Sequence, residues 1–168
     1  MGSFPKFLGI NAVMAVVFAA GADVVYDFSK ESPEGHPFLR DGAKDIIDRR
    51  IEAGALAGRT LKHPNYFQKV KIDRPLVEVQ LFTVEMKAEP GAGKVQVFAN
   101  IGESSAAYLE QPLICDGEFH IYYFDLAKMP KVKQAGILKN FRLGPTTAAA
   151  NFAIRSIKLA PNSAAQEK

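Results

Sequence analysis

The chain has 168 residues, 48% hydrophobic and 23% charged, with one Cys, no Trp and a net charge of +3. That length fits one domain of ordinary size, and a single cysteine excludes an intrachain disulfide and any thiolate metal cluster. The charge is too small to argue for a nucleic-acid partner, which needs a concentrated basic stripe, while 12 Phe and 5 Tyr supply the core that a disordered chain lacks.

Met1 to Lys6 is short and carries one positive charge. Residues 7–20 (FLGINAVMAVVFAA) are apolar, broken only by Gly9 and Asn11, and Ala20-Gly21-Ala22 then places small residues where a signal peptidase reads. This order predicts a secretory signal peptide over residues 1–22, cleaved between Ala22 and Asp23. The run is shorter than the roughly 20 apolar residues of a spanning helix. An uncleaved leader, kept as an anchor or a buried helix, is the alternative and the one route to a membrane that the sequence offers.

From Asp23 the apolar residues alternate, the mark of half-buried sheet. Short strands are expected at 24–28, 50–56 and 69–72, with a helical turn near Lys44 to Arg49. Val77 to Met86 is a long β-branched strand. Lys94 to Ile101 puts Val95, Val97, Ala99 and Ile101 on one face and Gln96, Phe98 and Asn100 on the other. Glu89-Pro-Gly-Ala-Gly93 turns between these two strands, predicting a hairpin. Further strands follow at 107–113, 119–126, 137–143 and 151–159, and the polar tail 161–168 is expected to be disordered. About nine strands punctuated by Gly and Pro predict an all-β sandwich over residues 23–160.

The order of several segments carries a resemblance. Val25-Tyr26-Asp27-Phe28-Ser29 opens the domain before a Gly- and acid-rich loop at 31–42. Glu78 to Lys87 is similar to an L-x-V-x-M-K strand, and Asp116 to His120 with Tyr123 to Leu126 to a D-G-x-W/F-H-x-Y-x-x-D-L stretch. Ile137 to Pro145 and Phe152 to Leu159 are similar to I-x-x-L/F-R-L-x-P and F-x-I-D-x-I-x-L. Together, over about residues 24–160, they resemble the jelly-roll carbohydrate-binding modules of the galactose-binding-like superfamily. The resemblance implies a β-sandwich jelly roll that binds a poly- or oligosaccharide. Two departures stand out: Val132-Lys133-Gln134-Ala135 replaces a frequent Trp, and Arg155 stands where the pattern often has Asp. Related modules often hold a structural calcium near the first and last strands, but Arg155 repels a cation that needs several oxygen ligands, so no calcium is expected there.

The residues carry no enzyme signature. His36, His63 and His120 are far apart, without metal-ligand spacing, so neither metal nor cofactor is expected. Glycoside hydrolysis needs two carboxylates across a cleft, whereas Glu78 and Glu85 fall on opposite faces of a regular strand. No nucleophile elbow is present. Gly91-Ala-Gly93-Lys94 is too short for a phosphate loop, and Cys115 beside a turn reads as an inert thiol.

A binding face is easier to assemble, because sugar sites combine aromatic planes with amides, carboxylates and Arg. If the strands share one sheet, Phe98, Asn100, His120, Tyr122, Asn140 and Arg142, with Gln96 and Arg155 nearby, form a concave polar-aromatic platform. The competing reading places Phe98 and Tyr122 in the core, since Tyr122 shares its face with Phe124 and Leu126. The loop Lys62-His-Pro-Asn-Tyr66-Phe67 is a second candidate, presenting Tyr66. Lys128, Lys131, Lys133 and Lys139 form a basic segment that suits an acidic polysaccharide or plain solvation. The favoured function is a secreted or periplasmic, non-catalytic carbohydrate-binding module. A structural or protein-binding sandwich of an envelope or extracellular assembly is the alternative, followed by a small polysaccharide hydrolase or lyase.

Overall fold

The computed structural model describes residues 23–102, 107–130, 132 and 135–162. The expected leader and all but the first two residues of the expected tail lie outside the described residues. The strands run β1 (Val24–Asp27), β2 (Ile46–Glu52), β3 (Ala55–Thr60), β4 (Val70–Pro75), β5 (Leu81–Ala88), β6 (Lys94–Ile101), β7 (Ala107–Pro112), β8 (His120–Asp125), β9 (Ile137–Gly144) and β10 (Ala150–Ala160). They form two antiparallel sheets. One has the order β2-β3-β10-β5-β8, with β1 also pairing β10; the other has the order β4-β9-β6-β7. The expected β-sandwich is present. Among the described residues no helix is long and apolar enough to cross a membrane.

Period-two burial explains the two layers. On β5, Phe82, Val84, Met86 and Ala88 are buried and the residues between them are half-exposed. The two inner faces meet through aromatic rings: Phe82 of β5 lies 5.1 Å edge-on from Phe141 of β9. Phe38, from a 3-10 turn after the first loop, lies 5.3 Å edge-on from Phe67, which in turn contacts Phe152 of β10. Such contacts contribute about 0.5–1.5 kcal/mol each beyond their buried area.

Four expectations are corrected. Residues 50–56 span the end of β2, the turn Ala53-Gly54 and the start of β3, so ten strands form among the described residues. The turn works because both Ala53 and Gly54 take positive φ, 47° and 75°. The segment 44–49 enters β2 instead of a helical turn, with Asp45 and Asp48 at positive φ and a register shift between Ile47 and Arg50. The strand expected from Val77 starts at Leu81, because Leu76–Glu78 form a 3-10 turn that buries Leu76. Arg74 fixes that turn by donating to Glu78 at 2.6 and 3.1 Å.

The fourth correction matters most for the site. β5 and β6 do not pair as a hairpin; each belongs to a different sheet. The turn between them crosses the sandwich edge instead. It is tied to β10 by the Glu89 carboxylate, which accepts from the Asn151 backbone and side chain at 3.0 and 2.7 Å. Lys94 N–H then donates to Thr147 Oγ1 at 3.0 Å, and Ala92 is fully buried beneath.

The segment after β9 is pinned to the loop before β4. Buried Asn65 donates its amide N–H groups to the carbonyls of Lys62 and Thr146 at 2.9 and 2.8 Å. Buried Thr60 and Thr146 share a hydroxyl contact of 2.6 Å, and Thr60 also reaches the carbonyls of Ala148 and Ala150. Gly144 makes this closeness feasible, since a Cβ there would sit 2.8 Å from the Asn65 carbonyl oxygen. Gly144→Ala is expected to cost about 1–3 kcal/mol through overpacking, read in urea denaturation as a lower midpoint at unchanged slope.

Candidate functional site

The outer face of the β4-β9-β6-β7 sheet gathers most of the predicted binding residues. On β6, Val95, Val97, Ala99 and Ile101 are buried, which turns Phe98 and Asn100 outward as the alternation required. On β9, Leu138, Phe141 and Leu143 all point inward although their spacing breaks a strict alternation. A bulge resolves the conflict: the register shifts between Asn140 and Leu138 against both β6 and β4. Asn140 and Arg142 therefore stand on the outer face.

Cross-strand register then assembles the face. Phe98 sits opposite Arg142 on one side and Tyr108 on the other. Its ring lies 5.4 Å from Tyr108 and 6.1 Å from Tyr66, so three aromatic rings cross the sheet in a row. Tyr66 reaches the row because its backbone bridges to Lys44 and the next residue, Phe67, donates to the Leu143 carbonyl at 2.9 Å. Of the loop's two aromatic residues only Tyr66 reaches the surface; Phe67 is fully buried beneath the sheet. The Arg142 guanidinium lies 4.7 Å from the Tyr66 ring centroid and Lys44 Nζ lies 5.9 Å from it.

Polar groups flank the row on both sides. Below it, Asn100 donates to the Asn140 side-chain carbonyl at 3.0 Å. Lys69, Phe98, Asn100, Asn140 and Arg142 line a depression of about 80 Å3. Above it, Gln96 donates to Glu110 at 2.9 Å, and Lys94 also pairs with Glu110. The hydrogen bond from Lys94 holds the Glu110 carboxyl below the usual range, with Gln96 adding to the effect and His63 contributing charge nearby. Gln96 Oε1 and Arg142 Nε are buried without a hydrogen-bond partner, as is Asn65 Oδ1 in the loop beneath.

The other predicted residues lie elsewhere. β8 and β10 belong to the opposite sheet, so the single platform that was expected to include His120, Tyr122 and Arg155 does not form. Tyr122 is buried on the core side with Phe124; its hydroxyl accepts from the Ile114 N–H at 2.9 Å, and burial pushes its phenol above the ordinary range. His120 is held by Asp116 at 2.9 and 3.0 Å. Arg155 pairs with Glu85 at 2.6 Å and covers the Phe119 ring at 3.9 Å. Glu78, the other acid weighed for hydrolysis, is bound by Arg74. Lys128 approaches Asp125 at 4.0 Å and Lys139 is exposed on β9, while Lys131 and Lys133 lie outside the described residues.

Sequence reasoning missed Tyr108, Lys69 and Lys44. Tyr108 was legible, because it alternates with Leu109 in a strand already recognised. Lys69 and Lys44 were not, since both join the face through pairing that is remote in the chain. A larger groove of about 530 Å3 opens on the opposite sheet beside Lys87, Pro90, Cys115 and Phe152. Its acidic groups are already engaged, Glu89 by Asn151 and Asp116 by His120.

No family model and no curated protein matches the chain. Solved structures do. A family 29 carbohydrate-binding module from Piromyces equi overlays with a TM-score of 0.52 at 9% identity, covering 84% of this chain and 94% of its own. A single-residue variant of another family 29 module gives 0.52 at 12% identity, covering 87% of this chain and 91% of its own. A further variant, complexed with cellulohexaose, gives 0.51 at 12% identity, covering 86% and 95%. These overlays show the fold, a β-sandwich jelly roll.

The Lys94–Glu110 pair sets a titration that can be checked. Glu110 is expected to titrate below ordinary glutamates in carboxyl NMR and to move back toward them in Lys94→Met. The stabilisation from this depressed carboxylate is present above its unfolded pKa and is lost as pH falls through the folded value.

Proposed function

We propose that the protein is a non-catalytic carbohydrate-binding module, exported to the periplasm or cell exterior by its leader, that holds a sugar chain on the outer face of the β4-β9-β6-β7 sheet. The observation that carries this reading is the row Tyr66, Phe98, Tyr108 flanked by Asn100, Asn140 and Arg142. Pyranose rings present C–H groups that pack on aromatic planes, and hydroxyls that amides and Arg bind in pairs. The shared fold supports the reading, as does the cellulohexaose bound to one of the similar modules. No step of catalysis is assigned: the acids weighed for hydrolysis, Glu78 and Glu85, are each bound by an arginine.

Tyr108 is half-exposed at 50%, so its ring is open to a ligand and dispensable to the core. Against a glycan bound by the wild-type protein in calorimetry, Tyr108→Ala and Phe98→Ala are expected to weaken binding about tenfold, equivalent to about 1.4 kcal/mol. Tyr122→Phe, which alters only the core side of the opposite sheet, should bind as the wild type does. Equal losses in all three variants would show that binding does not use this face. Silence across a broad glycan panel, with a stable oligomer in light scattering, would favour the protein-binding alternative.

A further inference from the structure

Charge on the aromatic face is unbalanced. Lys94 is taken by Glu110, Lys71 by Asp73 at 3.0 Å and Lys62 by Asp45 at 3.7 Å. Lys44, Lys69 and Arg142 have no ion pair among the described residues, and each stands beside the aromatic row or the depression next to it. The acids of the face are therefore neutralised while three of its cations are not.

We propose that the ligand of this face is an acidic polysaccharide, whose carboxylate or sulfate groups are held by Arg142 and Lys69. The inference rests on the sugar-binding reading above and names its ligand class. Three arguments carry it. First, the Arg142 guanidinium is already oriented: the Tyr66 ring braces one face of the group, and a planar fork suits bidentate anion contact. Second, its Nε is buried without a hydrogen-bond acceptor and no acidic side chain pairs with it among the described residues, so an anion meets a partly desolvated cation whose charge is not neutralised. Third, Lys69 and Arg142 line the same depression as the Asn100–Asn140 amide pair. A charged substituent and a neighbouring hydroxyl of one sugar residue would thus find their partners together. A single-stranded nucleic acid shares the negative charge and the stacking rings, but the paired amides beside the cations suit clustered hydroxyls better than a phosphodiester.

The test is calorimetry of the full chain with polygalacturonate and alginate as carboxylate polymers, a carrageenan as a sulfate polymer, and cellohexaose, galactomannan and poly(U) as controls. Binding is expected for a carboxylate or sulfate polymer, with at least about tenfold weaker binding to the neutral glycans and to poly(U), the size of one charged hydrogen bond. It should weaken with salt, as the screening length shrinks from about 8 Å at 0.15 M to about 3 Å at 1 M. Arg142→Gln should lose about tenfold, and exposed Lys69→Gln, which leaves the core untouched, about threefold. If a carboxylate polymer binds, methyl esterification should abolish the preference.

Salt-insensitive binding to a neutral glycan that both variants retain would overturn the acidic class and leave the sugar-binding reading standing. No binding to any glycan would overturn both. Tighter binding to poly(U) would assign the face to nucleic acid and overturn both as well.

Discussion

The side-chain amide of Asn65 is the constraint from which the aromatic outer face follows. It is fully buried, and its two donors close on the carbonyls of Lys62 and Thr146, tying the loop before β4 to the segment after β9. These two hydrogen bonds contribute about 0.5–1.5 kcal/mol each to holding the loop in place. With the loop fixed, Phe67 enters the core and Tyr66 is delivered to the outside, where it starts the aromatic row. Gly144 completes the arrangement by leaving room for the Asn65 carbonyl.

The larger sheet carries β10, which pairs with β1, β3 and β5 and so gathers distant parts of the chain. On its outer side Arg155 pairs with Glu85 and Lys158 with Asp23, while Lys87 lies over the Phe119 ring. The smaller sheet carries the row Tyr66, Phe98 and Tyr108, with Arg142 and Lys44 against the Tyr66 ring. The crossing at Glu89–Gly93 keeps the two faces distinct, because it moves the chain from one layer to the other just before the strand that carries Phe98.

Much of the fold was legible. Alternation in residues 94–101 predicted which side chains of β6 face outward, and the motifs from Val25 to Leu159 pointed to the jelly roll. Alternation reports which face a residue takes within its own strand but not which sheet that strand joins. His120 and Tyr122 were correctly grouped with each other, yet β8 belongs to the opposite layer and presents that face to the core. The Glu89–Gly93 turn misled for the same reason: its residues form a sharp turn in either case, and the choice between hairpin and crossing is made by Asn151, far along the chain. The β9 bulge was also illegible, because it exists only relative to its neighbours.

Tyr66, lying between Arg142 and Lys44, has one more consequence. The chain has no Trp and five Tyr, so its intrinsic ultraviolet emission is dominated by phenol rings. Two of those rings, Tyr66 and Tyr108, belong to the aromatic row, while Tyr122 is sealed in the core. A molecule settling on the row changes the surroundings of a large share of the emitters at once. The protein thus carries its own optical reporter at the face where recognition is proposed, without a label or an engineered fluorophore.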